Sequence, residues 1–397
     1  MAAPFTDVEI ETIRAATPGC GGDLVHLNHA GSSLPSRTVL DTQIEYLERE
    51  AHIGGYEAAA EAEERTADVY RSVATLIGAE ADQIARMEHA TAAWNAAFWA
   101  LPMRPGQRVL THDHDYGANV VALLHAARTR GVVVEKIPSD DTGQIDLTAL
   151  GAALDGPGEV AAVSLAWIPT NGGLVNPAAA VGALTREAGV PFLLDACQAV
   201  GQLTIDVDTI GCDALSATGR KFLRGPRGTG FLYVRPSLME TMVPSQPDHH
   251  GAEWTAVDDY EFVAGATRFE QWEFDHASWL GLGAAVDVAL DLGVDRIQTT
   301  VARRAARLRS ELAGIGLTVH DEGIARCGIV TVSSDVVDSS ELQRRLHDER
   351  INASVTFAGS SRADVERRDL PPMLRLSVHC TTTDAEVDRC VEVLRRV

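Results

Sequence analysis

The stretch Pro191-Phe-Leu-Leu-Asp-Ala-Cys-Gln198 reads as a strand that stays apolar until it closes on a carboxylate, Asp195. An amphipathic pattern, Pro177–Gly189, precedes it, and another spans Ala118–Gly131. Strand-like runs at Gln107–Asp113, Val132–Pro138, Glu159–Ile168 and Cys212–Ala217 alternate with these helices. Such alternation favours a mainly parallel sheet covered on both faces. Gly228–Arg235 adds a strand that returns directly after a glycine-rich turn. From about residue 285 the pattern changes to a long helix (Arg296–Gly314), short strands (Leu317–His320, Ile329–Ser333, Leu374–His379) and a closing helix from Thr383. The expected division is a large α/β domain over residues 21–284 and a smaller α+β domain over 1–20 and 285–397.

Composition narrows the partners. With 34 Lys+Arg against 56 Asp+Glu in 397 residues, the net charge is −22. Nucleic acid or an anionic membrane surface would demand a basic face, so neither is expected. No basic start leads into an apolar leader, and no apolar run approaches membrane-spanning length, which predicts a soluble, cytoplasmic protein. Six scattered cysteines without a CxxC spacing suit reduced thiols.

Ligands of open α/β sheets sit at the carboxyl ends of the strands. Four such ends carry polar groups here. Ala90-Thr91-Ala92-Ala93, after Arg86-Met-Glu-His89, opens the helix pattern Ala93–Leu101, and a helix N-terminus with a hydroxyl is an anion site or, more simply, a capped end. Thr111-His-Asp-His-Asp-Tyr116 holds two histidines, but no third ligand accompanies them, so no metal is expected. Asp195 needs a cationic partner at the end of so apolar a strand. The fourth end, Thr218-Gly-Arg-Lys-Phe-Leu-Arg-Gly-Pro-Arg-Gly228, gathers a lysine, arginines and glycines. A P-loop would place its lysine after the glycines, and Lys221 precedes most of them. No G-x-G-x-x-G opens a first βαβ unit either. An aromatic, a carboxylate, an amine and an anion cradle together match the needs of a phosphorylated aromatic aldehyde, pyridoxal 5′-phosphate.

The order Thr91 … Tyr116 … Asp195-x-x-Gln198 … Thr218-x-Arg-Lys221-(x)3-Gly-Pro-x-Gly resembles the class V aminotransferases of the fold-type I pyridoxal-phosphate enzymes. The resemblance runs from Leu27-Asn-His-Ala-Gly31 to Leu374-Arg-Leu-Ser377. Ile53-Gly-Gly-Tyr56, Asp115-Tyr-Gly-Ala118, Trp272-Glu-Phe274 and Phe357-Ala-Gly359 are most similar to its hercynylcysteine sulfoxide lyase and isopenicillin N epimerase-like branch. It implies a mainly parallel, seven-stranded type of sheet flanked by helices, a smaller C-terminal α+β domain and a homodimer. It further implies that Lys221 holds the cofactor and shuttles the Cα proton, Asp195 meets the ring nitrogen, and Gln198 faces the phenolic oxygen. Ala90, Thr91, Ala92, Thr218 and Arg220 would hold phosphate, Tyr116 would stack on the ring, and Thr170 would lie near the phenolic oxygen. Arg375 would grip the substrate carboxylate, with Asn28 and Tyr56 lining the substrate side. Desulfurases of the family present a nucleophilic cysteine before that arginine, whereas Phe357–Glu366 contains none. The expected activity is therefore a C–S β-lyase acting on an S-substituted cysteine and yielding pyruvate and ammonia. Epimerisation, transamination, decarboxylating deamination and desulfurase-like chemistry remain alternatives on the same site.

Overall fold

The computed structural model of the chain describes residues 2–396. Seven strands form the central sheet: β1 (Ile84–Met87), β2 (Arg108–His112), β3 (Val133–Ile137), β4 (Val160–Ala166), β5 (Phe192–Asp195), β6 (Ala214–Thr218) and β7 (Gly230–Val234). Their order is β1-β7-β6-β5-β4-β2-β3. Neighbours from β6 to β3 run parallel, and β7 is antiparallel to both β6 and β1. Every residue of β5, β6 and β7 is buried, as a sheet covered on both faces requires. Pairing places Asp195 of β5 opposite Ala166 of β4 and Ser216 of β6. The polar ends of these strands thereby share one rim.

Helices on that sheet stop where the sequence stops them. Helices Gly117–Arg130 and Ala178–Ala188 end at Gly131 and Gly189, whose φ values of 70° and 65° suit a residue without Cβ. Helix His276–Leu292 is capped by Asp275, which accepts from the Ser278 amide at 2.8 Å. Among the described residues no single helix is long and apolar enough to cross a membrane.

A second, antiparallel sheet has the order β8-β9-β11-β10, with β8 Thr318–Val319, β9 Ile329–Ser333, β10 Ser354–Val355 and β11 Leu374–Ser377. The N-terminal helix Asp7–Ala15 belongs beside this part of the molecule. Phe5 N–H donates to Thr300 Oγ1 at 2.9 Å, Arg296 pairs with Glu9 at 2.8 Å, and Arg14 pairs with Glu386 at 2.9 Å. The chain then returns to the large sheet: Asn28 bridges to Ser377, and Ser33 N–H donates to Arg220 O at 2.8 Å.

The turn from β6 to β7 is closed as a unit. Gly219 N–H donates to Thr229 O, Gly225 N–H to Gly219 O, and Arg224 N–H to Lys221 O, all at 2.8–2.9 Å. Arg224 adopts φ 64°, in the left-handed region that a side chain disfavours. Its guanidinium is anchored to Leu34 O at 3.0 Å and Thr17 Oγ1 at 2.6 Å, which holds the turn in place.

Candidate active site

Lys221 sits on that turn, and its amine is buried. Burial lowers its pKa, because the charged form loses hydration; the nearby Cys197 opposes the shift and the Arg220 guanidinium adds to it. Across the rim, Asp195 is also buried. One carboxylate oxygen accepts from the Cys197 N–H and the other from Asn119 Nδ2, both at 2.9 Å. Burial pushes its carboxyl pKa up. Among the described residues no Arg, Lys or His forms an ion pair with Asp195, so the cation that its strand end calls for does not come from a protein salt bridge.

The helix after β1 starts at Ala90, three residues earlier than its apolar pattern suggests, because His89 is the cap. His89 Nδ1 accepts the Ala92 N–H at 3.0 Å. Thr91 is therefore not the cap, and the first-turn amides of Ala90 and Thr91 remain available to an anion. The Ala92 amide, expected among the phosphate donors, is already engaged by His89. Thr218 donates its hydroxyl to Thr229 O at 3.0 Å, and Arg220 reaches the Gly31 carbonyl from beside the same opening.

Ala90, Thr91, Tyr116, Thr170, Asp195, Gln198, Thr218, Arg220 and Lys221 line a single cavity. His89, Asn119, Ala166, Ile168 and Cys197 complete its walls. Asn119 was not anticipated, although its place one helical turn after Tyr116 puts it on the same face. Four expected residues lie outside: Ala92, Arg375, Asn28 and Tyr56. Arg375 stands behind Thr170, donating to its carbonyl at 2.8 Å and hydroxyl at 3.2 Å, and to Ser354 Oγ at 3.1 Å. Burial lowers its pKa to about 10, which leaves it charged at neutral pH. Asn28 has a buried Oδ1 without a partner. Tyr56 is 82% exposed and faces a separate groove with Tyr46, Trp272 and Phe274.

Of the histidines weighed above, His114 does meet two further potential ligands, Glu322 and Asp364, which the sequence reading did not foresee, whereas His112 does not join them. His112 Nε2 meets Ser139 Oγ at 3.1 Å. His114 lies 3.3 Å from Asp364 and 3.7 Å from Glu322, but Arg367 and Arg368 already pair with both acids at 2.8–3.5 Å. This cluster ties segment 357–368 to the loop ahead of Tyr116. Gly117 lets that segment close in: a Cβ there would lie 2.4 Å from Gly359 O.

The residues fit pyridoxal 5′-phosphate on three counts. A buried carboxylate lacks a protein ion-pair partner, Gln198 keeps a buried Oε1 unpartnered, and free helix amides adjoin Arg220 and Thr218. The class-V aminotransferase pattern matches residues 25–390. The chain belongs to that family of fold-type I pyridoxal-phosphate enzymes. A cysteine desulfurase of Dickeya dadantii is 28% identical over all of this chain and 98% of its own length. In structure, the apo cysteine desulfurase of Thermococcus onnurineus superposes with TM-score 0.91 at 20% identity, covering 100% and 99% of the two chains. The cystine C–S lyase C-DES, in complex with its product cysteine persulfide, gives TM-score 0.86 at 20% identity over 96% and 99%. This class-V enzyme therefore uses pyridoxal 5′-phosphate.

Proposed function

We propose that this class-V enzyme is a C–S β-lyase that cleaves an S-substituted cysteine, either a cysteine conjugate or its sulfoxide, to pyruvate and ammonia. When bound, pyridoxal phosphate supplies an aldehyde for the substrate amine and a ring that accepts negative charge from Cα. Lys221 holds the cofactor through Nζ, and its depressed amine pKa favours a free base able to take the Cα proton. Asp195 keeps a proton on the ring nitrogen, and Gln198 faces the phenolic oxygen. The Ala90 and Thr91 amides, with Thr218 and Arg220, hold phosphate. Tyr116 covers the ring face. Arg375 orients the substrate carboxylate from behind Thr170. The sulfur leaves Cβ with its bonding pair and departs as thiol or sulfenate.

The observation that carries this reading is the state of the thiols around the site. Segment Thr356–Glu366 beside Tyr116 contains no cysteine. Cys197 is the one thiol lining the cavity among the described residues, and burial raises its pKa, which suppresses the thiolate. Cys212 and Cys327 are pushed up to about 12 and Cys380 to about 11 by burial. A desulfurase must carry sulfur away on a protein thiol, whereas a β-lyase needs none. The names of the curated relatives favour desulfuration as the second reading. We further propose a homodimer working in a reducing cytoplasm, supported by six free cysteines and the exposed aromatic groove around Tyr56.

The test is to supply a panel of cysteine conjugates and sulfoxides and to follow pyruvate, released thiol and alanine. Pyruvate in step with thiol supports the lyase, and replacing Cys212, Cys327 and Cys380 together should leave that rate within about threefold. Stoichiometric alanine from free cysteine, with a protein persulfide trapped by alkylation, would overturn it. Racemised substrate without pyruvate would indicate the epimerase-like outcome instead.

A further inference from the structure

A second carboxylate lies behind Asp195. Asp115 is 1% exposed and ends the loop between β2 and helix Gly117–Arg130. Its Oδ2 accepts from Thr111 Oγ1 at 2.7 Å and Ser164 Oγ at 3.0 Å. Its Oδ1 accepts from the Tyr116 N–H at 2.8 Å and Asn119 Nδ2 at 3.2 Å. That same Asn119 nitrogen donates to Asp195 at 2.9 Å. One amide thus joins two buried carboxylates, and among the described residues neither has an ion-pair partner. Two acids arranged this way are costly to bury unless a cation faces them.

We propose that Asp115 is a positioning residue for the cofactor site, acting on Asp195 through Asn119 and on Tyr116 through the Tyr116 amide. The inference rests on the reading of Asp195 as the partner of the ring nitrogen. Burial raises the Asp115 carboxyl pKa and the neighbouring Asp195 adds to the shift, while the hydrogen bonds from Thr111 Oγ1, Asn119 Nδ2 and the Tyr116 N–H oppose it. The Asp115 oxygens behind Asp195 add negative potential there and strengthen the hold on a proton at the ring nitrogen. Asp115 also fixes Asn119, whose two N–H groups then point at both acids and leave Asp195 one orientation. The Oδ1 that accepts from Asn119 also accepts from the Tyr116 N–H, so one oxygen positions two residues that line the cavity. A carboxylate that only tied down the loop would have no reason to meet Asn119.

Reconstituting the protein with ¹⁵N-labelled pyridoxal phosphate tests this by the ring-nitrogen NMR shift across pH. Asp115→Asn and Asn119→Ala should each lower the midpoint for loss of the ring proton by about one pH unit. kcat should fall about tenfold or more while KM stays within about threefold. Asn119→Ala removes the link from Asp115 to Asp195 together with the amide's own bond to Asp195, and serves if Asp115→Asn fails to fold. An unmoved midpoint in Asn119→Ala, alongside a shifted one in Asp195→Asn, overturns the role of Asp115 alone. An unmoved midpoint in Asp195→Asn overturns the assignment of Asp195 on which the inference rests.

Discussion

Lys221 stood out as a candidate because its setting is spelled locally: an amine among glycines, hydroxyls and arginines, ahead of a Gly-Pro turn. Borohydride reduction of the loaded protein should fix the cofactor on the peptide carrying Lys221, and Lys221→Ala should abolish that adduct. A reduced adduct on Lys136, the only other lysine, would remove the proposed chemistry. Asp195 was legible from the cost of ending an apolar strand on a charge. Arg375 was singled out only by resemblance, since one arginine in a short strand declares nothing about its target. Its guanidinium is already bonded to Thr170 and Ser354, so substrate binding has to recruit its remaining N–H groups. Arg375→Ala should cost about 2–4 kcal/mol in kcat/KM toward amino-acid substrates, measured by steady-state kinetics. Unchanged kinetics would take Arg375 out of the site. Asn119 escaped notice, and Asp115 entered only within the Asp115-Tyr-Gly-Ala118 resemblance, because no periodicity marks a polar residue that faces another polar residue.

Strands and helix ends were legible where burial imposes a pattern, and lost where it does not. The hairpin Ala252–Ala256 with Asp259–Phe262 went unread because it buries only Ala252 in its first strand, so no core face enforces a period of two. The start of helix Ala90–Ala100 was misplaced because histidine, not Ser, Thr, Asn or Asp, is its cap. Segment 357–361 and helix Gly117–Arg130 meet backbone to backbone at Gly359 and Gly117. Gly117→Ala should push that segment off Tyr116, lowering stability by about 1–3 kcal/mol and raising KM, as read from denaturant melts and kinetics. A second element-scale device is a histidine stack. His26, His29 and His379 pack with ring centroids 4.7 and 5.0 Å apart, and His379 Nε2 meets Phe222 O, beside Lys221, at 2.8 Å. Burial lowers all three pKa values, that of His379 to about 3. The unfolded chain takes up protons on these rings below pH 6.5 while the native state resists. The unfolded state then binds more protons, and stability falls as pH drops from 6.5 toward 3, by about 1.4 kcal/mol per pH unit for each fully linked proton. His379→Gln should flatten the slope of Tm between pH 6.5 and 5. An unchanged slope would place the acid sensitivity elsewhere.

For the whole molecule, alternation of strand and helix carried the large sheet, and residues 1–20 were expected beside 285–397, while the particular contacts of the N-terminal helix with helices Val294–Gly314 and Asp384–Arg395 could not be read. Contacts that join residue 5 to residue 300 leave no local trace. The groove at Tyr56 lies near exposed Leu47 and Trp272, at 54% and 52% exposure. Sedimentation should show a dimer, and Tyr56→Asp with Trp272→Asp should shift it toward monomer. An unshifted dimer would move the interface to another face. The order of the sheet also sets a timetable. Strand β1 sits at the edge and pairs only with β7, so Met87 waits for Gly230. At ribosomal rates of about 5–20 residues per second, that wait is on the order of 10–30 s. Through that interval the segment proposed to hold phosphate leaves the ribosome with its strand unpaired, exposed to chaperones and to neighbouring nascent chains. Nascent chains arrested before Gly230 should therefore be protease-sensitive at Ile84–Ala100, and those released after Val234 should not.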